Sequence, residues 1–151
     1  GQYAASRIIT TDAMDNLNLF GALVTNGQEE LAALAYLITM EFAQENEQYI
    51  QATGDYYEAG LKNMAEKFPS LIERIEGKGH LSSIFFYDPD KVLEFTGLLN
   101  AGCIDISSQT YKAKCPPAAL TKPPMIATQA MIDYLTNKME EALEKISGGA
   151  Y

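Results

Sequence analysis

The richest chemistry in the chain lies in Thr25-Asn26-Gly27-Gln28-Glu29-Glu30-Leu31-Ala32-Ala33, a short polar loop opening into an apolar helix. A helix start presents backbone N–H groups that have no intrahelical acceptor, together with the positive end of the helix dipole, so it attracts an anion. The Thr25 hydroxyl adds a donor just ahead of that end. Asn26 suits the N-cap, and Glu29, three residues on, suits the return bond of a capping box. The same residues also serve an ordinary capped helix, so any chemistry here depends on the rest of the chain. Other reactive side chains are sparse. His80, the single histidine, sits between Gly79 and Leu81 at the entry to an apolar strand, a turn or strand-edge position more than a catalytic one. Cys103 and Cys115 lack CxxC spacing, and with one histidine they make no zinc set. No Ser/His/Asp or Cys/His set assembles. The lack of clustered carboxylates around the histidine disfavours a metal-dependent hydrolase.

Composition narrows the classes further. The 151 residues suit one domain, or one domain with a remnant of another, and 47% hydrophobic content supports a sizeable core. A net charge of −9 argues against a nucleic-acid or anionic-membrane surface, which needs basic patches. No apolar run reaches the roughly 18 residues of a membrane span. Two isolated thiols in a chain with this much core material suggest a reducing, cytoplasmic compartment.

The elements that must position these residues follow from periodicity. Residues 4–10 read as a short strand and 11–17 as a helical turn. Leu31, Leu34, Ala35, Ile38 and Phe42 form the stripe of a helix with a buried face. A second stripe runs through Tyr49, Thr53, Tyr56, Tyr57, Gly60, Met64 and Phe68, and a break is expected near Asn46. Beyond Pro69 the pattern becomes β-β-α-β-(β)-α. Strands are expected over 71–76, 81–87 and 103–107, with a turn at Gly77-Lys78-Gly79. A helix over 89–99 starts at Asp88-Pro89, and a final helix is capped by Thr128. The stretch bracketed by Pro116-Pro117 and Pro123-Pro124 has no regular period.

Four stretches, in order, resemble the C-terminal part of class III (ω-type) aminotransferases, the pyridoxal-phosphate enzymes of fold type I. Gly1 to Asp15 is similar to the Gly-rich stretch, strand and helix after the cofactor lysine. Thr25-x-Gly27 with Leu31-Ala32-Ala33 is similar to the Thr-Phe-Gly-Gly-Asn-Pro-Leu-Ala helix start. Glu76-Gly77-Lys78-Gly79-His80-Leu81 is similar to an Arg-Gly-x-Gly-Leu strand entry. Pro123-Pro124-Met125-Ile126-Ala127-Thr128, with Ile132 and Asp133 beyond, is similar to Pro-Pro-Leu-x-x-Thr and the terminal helix.

The resemblance implies an α/β fold, more narrowly an α+β small domain: an antiparallel-rich sheet with helices on one face, preceded by two long helices. It implies a large-domain remnant over 1–27, connecting helices over 28–69 and the small domain over 70–151. It also implies pyridoxal 5'-phosphate as cofactor in the parent enzyme, with an amine or amino acid and a keto acid as substrates. The parent is expected to be a homodimer in which the Thr25 hydroxyl, with Asn26 and Gly27 as backbone donors, holds the phosphate bound by the neighbouring subunit. The family's Schiff-base lysine falls before Gly1, and the first lysine here is Lys62, so the chain alone is not expected to transaminate. Where the family often has an arginine for the substrate carboxylate, this chain has Leu120. Lys122, Lys112 and Lys114 nearby cannot reproduce a bidentate fork. A mutase or racemase on the same scaffold, or a non-catalytic binding domain, fits the same residues. Ile8, Ile9, Leu17, Leu19, Phe20, Leu23 and Val24, without a large domain to cover them, are expected to drive self-association.

Overall fold

The computed structural model describes residues 11–14, 29–111 and 115–148. They fall into two compact units, 1–47 and 48–151. The described part of the first unit contains a 3-10 turn, Asp12–Met14, within the expected helical stretch, and helix α1, Glu30–Glu45. Asn46 forms the expected break: its side chain donates to Phe42 O at 2.9 Å and its backbone N–H to the same carbonyl at 3.0 Å. Helix α2, Glu47–Lys67, follows. The strand expected over 4–10, the residues 15–28 and the apolar set from Ile8 to Val24 lie outside the described residues.

The second unit is built on an antiparallel sheet of strand order β1-β2-β4-β3, formed by Ile72–Lys78, Leu81–Phe86, Ala118–Thr121 and Ser107–Gln109. Alternation along β2 sets its face. Ser82, Ile84 and Phe86 are buried, while Leu81, Ser83 and Phe85 point the other way. The inward set packs with Tyr57, Leu61 and Met64 of α2, with Val92, Phe95 and Leu99 of α3 (Pro89–Ala101), and with Ile132, Met139, Leu143 and Ile146 of α4 (Gln129–Ser147). Phe86 and Phe95 meet at a ring-centroid distance of 5.3 Å. The expected β-β-α-β-β-α order, with helices on one face of the sheet, is present.

Three local expectations change. The β1–β2 turn is Gly79-His80, not Gly77-Lys78-Gly79. Gly77 and Lys78 pair with Ser82 and Leu81, and Gly77 takes φ +112°, a conformation that lets the strand run on through it. The strand expected over 103–107 begins only at Ser107. The reason is a clamp: Asn100 Nδ2 donates to Ile106 O at 3.2 Å, and Asn100 Oδ1 accepts from Ile106 N at 3.1 Å, holding 103–106 against the end of α3 as a loop. Cys103 takes φ 63° within it. The aperiodic stretch between the proline pairs holds β4, an interior strand whose short Ala-Ala-Leu-Thr run carries too little alternation to read.

Gly77 and Gly97 form a test pair. A methyl on Gly77 would run into the Leu81 carbonyl and strain a positive φ, whereas one on Gly97, in mid-α3, meets nothing within 4 Å. Gly77→Ala is therefore expected to cost about 3 kcal/mol and Gly97→Ala to gain about 0.5–1 kcal/mol from helix propensity. Urea unfolding followed by circular dichroism measures both.

Candidate functional site

Thr25, Asn26 and Gly27, the residues of the anion site expected at the start of α1, lie outside the described residues. The helix begins later than expected. Its N-cap is Glu29, not Asn26, with backbone φ −74° and ψ 120° and no side-chain capping bond. The Asn26–Glu29 capping box is therefore not the device that starts the helix. Glu29 O accepts from Ala33 N at 3.0 Å, and Glu30 lies in the first turn. The free first-turn amides suit a dianion, but the Glu29 and Glu30 carboxylates beside them repel one. The described residues at this end do not by themselves make a site that fits a phosphorylated cofactor.

The apolar stripe of α1 also differs from expectation. Leu31, Leu34 and Ile38 are exposed (58% for Leu31), Ala35 and Phe42 are half-buried, and Ala32 alone is buried. Leu37 and Met40, off the stripe, are exposed as well, 62% for Leu37. The helix is apolar on more than one side, so no single described face can cover it.

The His80 turn is structural. It rests on α2, where the imidazole Nε2 lies 3.1 Å from Ile50 O and 3.2 Å from Thr53 Oγ1. A carbonyl can only accept, so Nε2 carries the proton, and Nδ1 is buried without a partner. Close approach of the turn requires Gly54, whose Cβ, if present, would sit 3.1 Å from Gly79 Cα. Glu58 Oε2 accepts from Gly79 N at 3.2 Å and Glu58 Oε1 pairs with Lys62 at 2.6 Å. The lysine first, then the amide, holds this carboxyl below its ordinary range. Every neighbour of the imidazole fixes the turn, and none presents it to a substrate.

At the far end of β4 a cavity of about 230 Å³ opens between the strand, the loop 122–128, the 104–106 segment and the first half of α4. Tyr49 of α2 secures the loop by donating from its hydroxyl to Ala127 O at 2.8 Å, and Thr128 caps α4 as expected by accepting from Met131 N. Leu120 and Lys122 both line this cavity, so the position of the family's arginine is apolar here. Deeper in the core, Tyr57 is fully buried and its hydroxyl makes no hydrogen bond. The neighbouring Thr121 hydroxyl is committed to Ser82 O at 3.1 Å, so it offsets little of the burial that pushes the Tyr57 phenol up to about 12.

The comparisons follow this geometry. No protein-family model matches the sequence, and no curated protein matches it. Solved structures do match. An aminotransferase of Bacillus anthracis superposes with a TM-score of 0.65 at 22% identity over 79% of this chain. A lysine aminotransferase from M. tuberculosis, in the internal aldimine form, gives 0.63 at 16% identity over 77%. A transaminase from the marine bacterium Virgibacillus gives 0.67 at 19% over 78%. The chain spans less than a third of each of these structures: 29%, 26% and 29% of their lengths. The chain shares its fold with a part of each of these aminotransferases.

The buried phenol gives a signed prediction. Its folded pKa lies above the ordinary 10, so its contribution to stability is complete below pH 10 and is lost as pH rises towards 12. Tyr57→Phe removes an unpaired buried hydroxyl. It is expected to raise stability by about 1 kcal/mol and to remove a late-ionising component from the tyrosinate absorbance in an alkaline titration.

Proposed function

We propose that this chain is the C-terminal part of a pyridoxal-phosphate-dependent aminotransferase, an enzyme that moves an amino group from an amine or amino acid to a keto acid. The observation that carries the reading is the fold shared with the Bacillus anthracis aminotransferase over 79% of the chain. The four motif resemblances, which fall in family order along the sequence, support it independently. In this reading Thr25, with the backbone of Asn26 and Gly27, grips the cofactor phosphate held by a twin subunit, and the cofactor serves as the electron sink for amino transfer. The exchange occurs between small molecules in the cytoplasm, where the exposed thiols of Cys103 and Cys115 stay free.

The test is to express the full reading frame of the parent with pyridoxal phosphate and measure bound-cofactor absorbance and amino transfer to a panel of keto acids. Thr25→Val is expected to weaken cofactor retention about tenfold, the loss of one hydrogen bond to a charged group. Full-length protein that neither binds the cofactor nor transfers an amino group would overturn the reading.

The homodimer rests on α1. Leu31, Leu34, Leu37, Ile38 and Met40 present apolar surface that water disfavours, and covering their exposed halves is worth about 5 kcal/mol per chain. Light scattering on the chain is expected to show self-association, and the double substitution Leu34→Lys with Leu37→Lys to return it to a monomer. A wild-type monomer would remove the support for a twin subunit.

A further inference from the structure

We propose that the exposed face of α1 docks on a protein surface of opposite character, apolar at its centre and rimmed by lysine or arginine. The inference rests on the exposed residues that also support a twin subunit, and it goes beyond that reading by naming the chemistry that meets them.

Helical spacing puts apolar and acidic side chains on one face. Glu30, Leu34, Leu37, Ile38, Glu41 and Glu45 succeed one another at steps of three and four residues, with Leu37 and Ile38 side by side, so they share one side of α1. All six are exposed. The leucines and the isoleucine occupy the middle of the strip, and the carboxylates close both of its ends. From Glu30 to Glu45 the strip is about 22 Å long at 1.5 Å per residue. An apolar centre within a polar rim is the anatomy of a protein interface.

The charge on the rim decides the partner. Among the described residues, Glu30, Glu41 and Glu45 make no ion pair, whereas Glu58, Glu73, Glu76, Glu94, Glu140 and Glu141 each hold a lysine or arginine. The sequence around α1 supplies no base. Between Arg7 and Lys62 it has no lysine or arginine but nine aspartates and glutamates, so nearly all of the net charge of −9 lies in that stretch. A surface that covers the leucines takes these carboxylates out of water, and positive groups have to replace the lost hydration. The α1 of a second copy brings the same glutamates and sets like charges against each other. An anionic membrane repels them in the same way. An apolar surface rimmed by lysine or arginine meets both demands. A twin that covers α1 therefore does so with a surface of that kind and not with its own α1.

The experiment titrates the full chain into a dye-labelled helical peptide of about 16 residues, the length of α1, with a leucine face rimmed by lysine, and follows fluorescence anisotropy. Two control peptides change one feature each: glutamate replaces the lysines in one, and alanine replaces the leucines in the other. The expected result is saturable binding of the leucine–lysine peptide and about tenfold weaker binding, or less, of both controls. Leu34→Gln with Leu37→Gln, and separately Glu41→Gln with Glu45→Gln, are each expected to weaken binding about tenfold. Glutamine keeps helix propensity at these exposed positions. Glu66→Gln with Glu144→Gln removes the same charge from α2 and α4 and is expected to leave affinity within about twofold. Absence of binding overturns the proposal, as does equal binding of either control peptide or an affinity unchanged in either α1 variant. A loss at Glu66 and Glu144 as large as that at Glu41 and Glu45 also overturns it. Light scattering reads self-association separately, so a chain that self-associates but ignores the peptide keeps the twin subunit and loses this proposal.

Discussion

The alternation of Ser82, Ile84 and Phe86 on β2 is the constraint from which the second unit grows. Three inward side chains at a spacing of two commit the sheet to burying one face, and a one-residue slip would turn all of them to solvent. Three helices then share that face. Tyr57, Leu61 and Met64 lie at a helical spacing on α2, and Phe95 of α3 meets Phe86 directly. Strand β4 can occupy the interior of the sheet because Ala119, opposite Ile84 on the helix-covered face, is small enough to lie under helices that a larger residue would lift away.

Around this core, single polar side chains decide where elements stop. Asn100 uses both ends of its amide on the Ile106 backbone, which converts an apolar segment that reads as strand into a loop. Asp88 and Thr128 start α3 and α4 by accepting from Asp90 N and Met131 N. Glu58 and the His80 ring fasten the β1–β2 turn to α2. These bonds shape the unit more than they stabilise it, since each replaces a bond to water. They also leave the cavity at the end of β4 open, because the loop 122–128 is tied by Tyr49 at its Ala127 end and not across its mouth.

Helix α1 obeys a different logic. Its sequence is apolar around most of its circumference, and only Ala32 is buried among the described residues. Helix α4, and α2 apart from its exposed Tyr49 and Tyr56, bury their stripes within the second unit. The exposed leucines of α1 are apolar surface left uncovered among the described residues, the surface on which the proposed dimer rests.

Much of this was legible in the chain. The helix break at Asn46, the Asp88-Pro89 and Thr128 starts and strands β1 and β2 follow from caps and from periods of two and 3.6, and the fold shared with aminotransferases was implied by the motif resemblance. Those signals are local, and the structure obeys them where the core does not interfere. What escaped lies outside those patterns. The burial of β4 depends on neighbours in β2 that lie 33 to 39 positions away, as in Thr121 opposite Ser82. The late start of β3 depends on Asn100, the helix cap moved from Asn26 to Glu29, and the exposure of α1 depends on which surfaces pack against it. A sequence encodes which face of an element is apolar. Only packing decides whether that face finds a partner, because burial is a property of the surfaces that meet.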